Sequence, residues 1–127
     1  MKPKSVKITY WILTILFALA MAGDAYGGIT KQQAGVDVLK HLGYPIYFMV
    51  FTGFAKLLGV IAILQTKFKT IKEWAYAGFA FTFLGAIASR GFVGDPLSQL
   101  IPPVVVLIIL FITYYFWKKF DQLKATE

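Results

Sequence analysis

The sequence predicts an all-α integral membrane protein: a four-transmembrane-helix bundle with both termini cytoplasmic and a short amphipathic helix in the first outer loop. Three observations carry this reading. Of the 127 residues, 58% are hydrophobic and 15% charged, whereas a soluble domain carries about a quarter charged residues. The apolar residues form runs at about 6–28, 45–65, 71–90 and 100–117, each near the ~20 residues a helix needs to cross the hydrocarbon core. The lysines fall into groups that an even number of crossings puts on one side.

The apolar runs are continuous rather than alternating, and backbone groups in lipid must be satisfied internally, so the segments are helices and not strands. The length suits one domain over residues 1–127. The first segment, "VKITYWILTILFALAMAGDAYGG", follows lysines as a signal peptide would. "MAGDAYGG" makes a poor cleavage site, however, and the run is long enough to stay as an anchor.

The first outer loop, "ITKQQAGVDVLKHLGYP", repeats Ala34, Val38 and Leu42 every four residues with Leu39 beside them, against polar Lys31, Gln32, Asp37 and Lys40. That pattern fits a short helix lying on the membrane surface. Gly43 can end it, and Pro45 can open the next helix without losing a needed N–H. Gly94, Asp95 and Pro96 form a turn before the last segment, and Pro102 and Pro103 belong in or near its first helical turn.

Orientation follows from charge. Lys2, Lys4 and Lys7 precede the first helix, Lys67, Lys69 and Lys72 lie between the second and third, and Lys118, Lys119 and Lys124 follow the fourth. On the other side Lys31, Lys40 and Arg90 are offset by Asp24, Asp37 and Asp95. The positive-inside rule puts both termini in the cytoplasm, and Trp11, Trp74 and Trp117 all fall at that same interface. The net charge of +7 therefore reflects topology rather than a nucleic-acid partner. The partners expected are the bilayer and either a membrane protein or a second copy of the chain.

With no cysteine the chain itself offers no thiolate chemistry, and a single histidine, His41, cannot build a multi-histidine metal site alone. Nothing in the sequence resembles a P-loop, a metal motif, a catalytic triad or a haem ligand pair. The residue that asks for an explanation is Lys56 in "TGFAKLLGVIAIL". It lies about 16 Å into its helix at ~1.5 Å per residue, near the midplane of a ~30 Å core. Inserting a lysine there costs about 2.5–3.5 kcal/mol, so it should face the bundle interior and meet a carboxylate, carbonyls, water or a ligand. Asp24 is the nearest partner, about 6 Å below the outer end of the first helix.

Three readings of Lys56 stand side by side. One is a structural contact with a carboxylate or carbonyl; the second is a ligand-binding or proton-handling role; the third is chance exposure to lipid. The second extends to a polar pocket with Asp24, His41, Arg90 and Asp95 around its outer mouth and Lys56 at its floor. Arg90 also has a plainer reading as an interfacial side chain reaching phosphates. Gly53, Gly59, Gly78 and Gly85 read as helix-packing positions, since small residues let backbones approach closely in lipid. The run "GFAFTFL" reads as lipid-facing or core filling.

The segments "HLGYP", "FAKLLGVIAIL", "IKEWAYAGFAF", "GAIAS" and "GDP" before a proline-containing last helix together resemble the DoxX-like family of small four-helix membrane proteins. The resemblance spans nearly the whole chain and implies a four-helix bundle, with Lys56 at the lysine of the family's "AKLLG" pattern. That pattern commonly has a histidine after the serine at position 89, where this chain has Arg90. The family takes its name from a subunit of a membrane thiosulfate:quinone oxidoreductase. The expectation is a non-catalytic or accessory subunit of the cytoplasmic (inner) membrane that holds a quinone or lipid headgroup near Lys56. The alternatives are a structural or chaperone-like membrane partner and, less favoured by four short unbroken helices, a small-solute or proton transporter.

Overall fold

The computed structural model describes residues 2–125 and is all-helical. Its five helices are α1 (Pro3–Ile29), α2 (Gln33–Leu42), α3 (Tyr47–Leu64), α4 (Lys69–Phe92) and α5 (Leu97–Ala125). The four long helices pack in a ring: α1 lies beside α3 and α5, and α4 closes the ring against the same two. The short α2 sits against α3.

Three helical stretches are long and apolar enough to cross a membrane: α1, α3 and Leu97–Lys124 of α5. The 24-residue α4 is not among them. Its middle is built of alanine, glycine, threonine and tyrosine as well as phenylalanine, and Lys69, Lys72, Glu73 and Arg90 occupy its ends. The last helix runs well beyond the expected end at 117. There the apolar run stops but the helix does not, because Phe120 stacks on Tyr10 with ring centroids 4.4 Å apart and Asp121 pairs with Lys69 at 3.0 Å. That helix also starts earlier, at Leu97, which puts Pro102 and Pro103 in its second turn rather than its first. Their missing N–H groups leave the Ser98 and Gln99 carbonyls without helical donors.

The surface is apolar where a soluble protein's would be polar. Leu16, Leu19, Phe51, Leu58, Phe81 and Ile101 are all exposed, an area that calls for lipid. Inside, Tyr10, Phe17, Ile63, Tyr76, Phe79, Leu110 and Trp117 form one core. The phenylalanine run splits at helical spacing. Phe79 and Phe83 turn inward onto Phe17, the first of them edge-on at 5.2 Å, while Phe81 faces out. Of the tryptophans expected at an interface, Trp74 is exposed, but Trp117 is buried against Tyr76. A ring stacked on a core tyrosine is not a membrane anchor.

The glycines divide into two kinds. A Cβ at Gly53 would fall 2.9 Å from the Ala25 carbonyl oxygen, and one at Gly28 would fall 2.7 Å from that of Met49. The backbones of α1 and α3 therefore touch at these points, an approach only hydrogen side chains permit. At Gly59 a Cβ would fall 2.8 Å from the Phe79 ring, whereas at Gly78 and Gly85 nothing lies within 4 Å. The packing expected at Gly78 and Gly85 is not found, because both face open space rather than a neighbouring helix.

The amphipathic pattern of the outer loop becomes α2, although its packed face is rotated by about one position from the expected one. Val36 is buried and Gly35, Leu39 and Leu42 half-buried, while Ala34 and Val38 are exposed. Contact with α3 sets this rotation, since a Cβ at Gly35 would sit 2.8 Å from Met49 Cε. The helix ends as the glycine suggests. Gly43 takes φ 85°, its N–H donates to Lys40 O at 3.2 Å, and the Tyr44 N–H donates to Leu39 O at 2.9 Å, the paired bonds of a Schellman stop.

Candidate functional site

The close approach of α1 and α3 at Gly28 and Gly53 sets the candidate site. It brings Asp24, one turn before Gly28 on α1, against Lys56, three residues beyond Gly53 on α3. The Lys56 ammonium donates a hydrogen bond to Asp24 Oδ2 and forms an ion pair with it. The lysine side chain is 20% exposed and the aspartate 55%, so the pair lies at the wall of the bundle with its acid end open. That opening is a cavity of about 430 Å³ between α1, α2 and α3, whose polar side chains are Asp24, Gln32, Thr52 and Lys56. Gln32 reaches it through a tight corner at Lys31, which takes φ 55°, and the Gln32 amide side chain folds over Gly27. The exposed Val38 and half-buried Leu39 of α2 form the opposite wall.

The other sequence-predicted residues gather on the far side of α2. His41 Nε2 meets Asp95 Oδ1 at 2.5 Å, and Arg90 donates to Asp95 Oδ2 at 3.2 Å and to Gln99 Oε1 at 3.4 Å. The Tyr44 and Ser89 hydroxyls lie 2.5 Å apart. These contacts tie the end of α2 to the α4–α5 turn. The five residues expected around a single mouth are thus two groups: Asp24 with Lys56, and His41 with Arg90 and Asp95. A second cavity, lined by His41, Arg90, Asp95 and Gln99, lies beside the latter group, and Val38 lines both cavities, so α2 is the partition between them.

The Asp95 side chain is 7% exposed, covered by its partners His41 and Arg90. The hydrogen bond from His41 holds its carboxyl below the usual carboxylate range, with the neighbouring charge of His41 and the hydrogen bond and charge of Arg90 acting in the same direction against some desolvation.

A second buried charge was not singled out by sequence reasoning. Lys72, 1% exposed, donates to the Tyr10 hydroxyl and to Gln65 O at 3.2 Å. Its ammonium lies 4.8 Å from the Tyr10 ring centroid and 5.3 Å from that of Trp117, within cation–π range. Charge counting places Lys72 in a loop. The helical spacing of Lys72, Tyr76, Phe79 and Phe83, all buried on one face of α4, is the signal that could have found it. Nearby, Lys118 pairs with Glu73, which also accepts from the Tyr114 hydroxyl at 3.1 Å.

The fold and site together define a helical membrane protein with an ion pair set between apolar helices. A model of the DoxX-like family matches residues 12–113, a span that includes Asp24, His41, Lys56, Arg90 and Asp95. The chain belongs to the DoxX-like family. No match is found among curated proteins or among solved structures.

The depressed Asp95 carboxyl gives the α2 attachment a pH dependence of definite sign. A group whose folded pKa lies below its unfolded value stabilises above the unfolded value, about 3.9 for aspartate, and loses that contribution as pH falls through the folded one. Melting of the detergent-solubilised protein should therefore drop on acidification below about pH 4, and Asp95→Asn should flatten that drop. Equal acid sensitivity in the two proteins would show that Asp95 does not hold α2.

Proposed function

We propose that this protein is a non-catalytic or accessory membrane subunit that holds the polar headgroup of a small amphiphile, a quinone or a lipid, at the Lys56–Asp24 pair. It sits in the cytoplasmic (inner) membrane with four crossings and both termini cytoplasmic. The fourth crossing is α4, whose 24 residues span about 36 Å at 1.5 Å per residue and which lies between the apolar α3 and α5. The three lysine groups and the exposed Trp74 support the orientation. Reporter fusions test it: a cytoplasm-dependent reporter should be active at the C-terminus and silent at Gly94, and the reverse pattern contradicts the topology.

The observation that carries the ligand reading is the ion pair at a cavity wall. An ammonium offers donors and the carboxylate beside it offers acceptors, with no net charge between them. A neutral headgroup suits this arrangement, as a quinone carbonyl can accept from Lys56 and a quinol hydroxyl can donate to Asp24. Among lipid headgroups a neutral or zwitterionic one fits better than a bare phosphate, which Asp24 would repel. Thr52 and Gln32 supply further hydrogen-bonding groups on the same cavity.

Mass spectrometry of gently extracted protein tests this reading. The wild type should carry a co-purified quinone or lipid, and Lys56→Met should lose it while keeping its helical content and melting behaviour. A variant that retains the compound shows that Lys56 is not its holder.

A further inference from the structure

Lys56 and Thr52 line a second void as well. On the other side of α3, between it and α4, runs an apolar groove of about 310 Å³ floored by Ala55, Gly59, Ala62, Ala75 and Gly78. The polar cavity with Asp24 and this groove share Thr52 and Lys56, so the lysine stands where a polar chamber meets an apolar one. The groove is kept open by small side chains. At Gly78 no atom lies within 4 Å of where a Cβ would be, so the empty space there belongs to the groove and not to a close helix contact. From Lys56 the floor follows α3 to Ala62, about 9 Å at 1.5 Å per residue, and ends beside the exposed Trp74.

We propose that the groove between α3 and α4 holds the aliphatic chain of the same molecule whose head sits at Lys56. The ligand is then a single-chain membrane amphiphile, its head in the chamber walled by α1, α2 and α3 and its chain running along α3 away from α2. This inference rests on the headgroup reading above and adds the chain and its path. Two features favour that occupant over a passing lipid tail. The groove and the polar chamber meet at Lys56, so a tethered chain begins where the head is held. The groove is also lined by α3 and α4 alone and holds about 310 Å³, which suits one chain rather than the pair of a phospholipid. Chain and groove associate through van der Waals contact, because in lipid there is no hydrophobic force between apolar surfaces.

Isothermal titration calorimetry on the full chain in detergent tests the proposal with two probes: a benzoquinone bearing a ten-carbon alkyl chain, and the same ring without it. The chain-bearing probe should bind the wild type more tightly than the ring alone. Gly78→Leu puts a side chain into the groove from a position where a Cβ meets no atom within 4 Å, and leucine is a better helix former than glycine. It should weaken the chain-bearing probe about tenfold, or ~1.4 kcal/mol, and leave the chainless ring unchanged. Gly85→Leu, also in open space on α4 but outside the groove, should change neither. Thr82→Leu, one turn along the same wall, is the second block should Gly78→Leu fail to fold. If neither block affects the chain-bearing probe while Lys56→Met abolishes both, the groove holds bulk lipid and the chain proposal is overturned with the headgroup reading intact. If neither probe binds the wild type, the chain proposal falls together with the quinone form of the headgroup reading.

Discussion

An ammonium near the middle of an apolar bundle must find a partner, and much of this structure is arranged around that requirement. Lys56 cannot reach water along its own helix, so the nearest acid has to come to it. Asp24 does so because α1 and α3 touch backbone to backbone at Gly28 and Gly53. A side chain at either glycine would collide with the facing backbone and disturb the close approach that brings the ion pair together. The glycines therefore act on the site through distance, although neither contributes a polar atom to it.

The opposite end of the bundle meets the same requirement differently. Lys72 is more deeply buried than Lys56, yet its acceptors are a tyrosine hydroxyl and a backbone carbonyl, with two aromatic faces around it. This environment is closed, whereas the Lys56 pair borders two cavities. Burial alone thus does not mark the candidate site. What separates the two lysines is open volume beside the charge, which a ligand needs and a structural contact does not. The contacts from α2 to the α4–α5 turn belong to the same design, since α2 walls the polar chamber and His41, Tyr44 and their partners hold its end.

Much of this was legible in the sequence. The four long helices follow from apolar runs, α2 from its 3.6-residue period and its glycine stop, and the Asp24–Lys56 pair from the cost of an unpaired charge in lipid. Other features depend on which way a helix faces, which apolar content does not reveal. Gly53 and Gly78 look alike in the sequence, but one meets a neighbouring backbone and the other faces a void. Lys72 counts as a loop charge until α4 is seen to begin at Lys69. The pairing of His41 with Asp95 joins residues far apart in the chain and needs the turn after α4 folded over α2. A hydropathy boundary likewise marks where the apolar run stops, whereas α5 continues on contacts made by Phe120 and Asp121.

The central claim is that Asp24 is where it is because Lys56 is charged and must be paired. A double-mutant cycle on melting stability tests this most directly. Asp24→Asn alone should destabilise the protein by leaving the ammonium unpaired, and adding Lys56→Met should restore most of the loss. The expected coupling is about 1–3 kcal/mol, toward the lower end because the aspartate side is open to its surroundings. Additive losses from the two substitutions would contradict the claim.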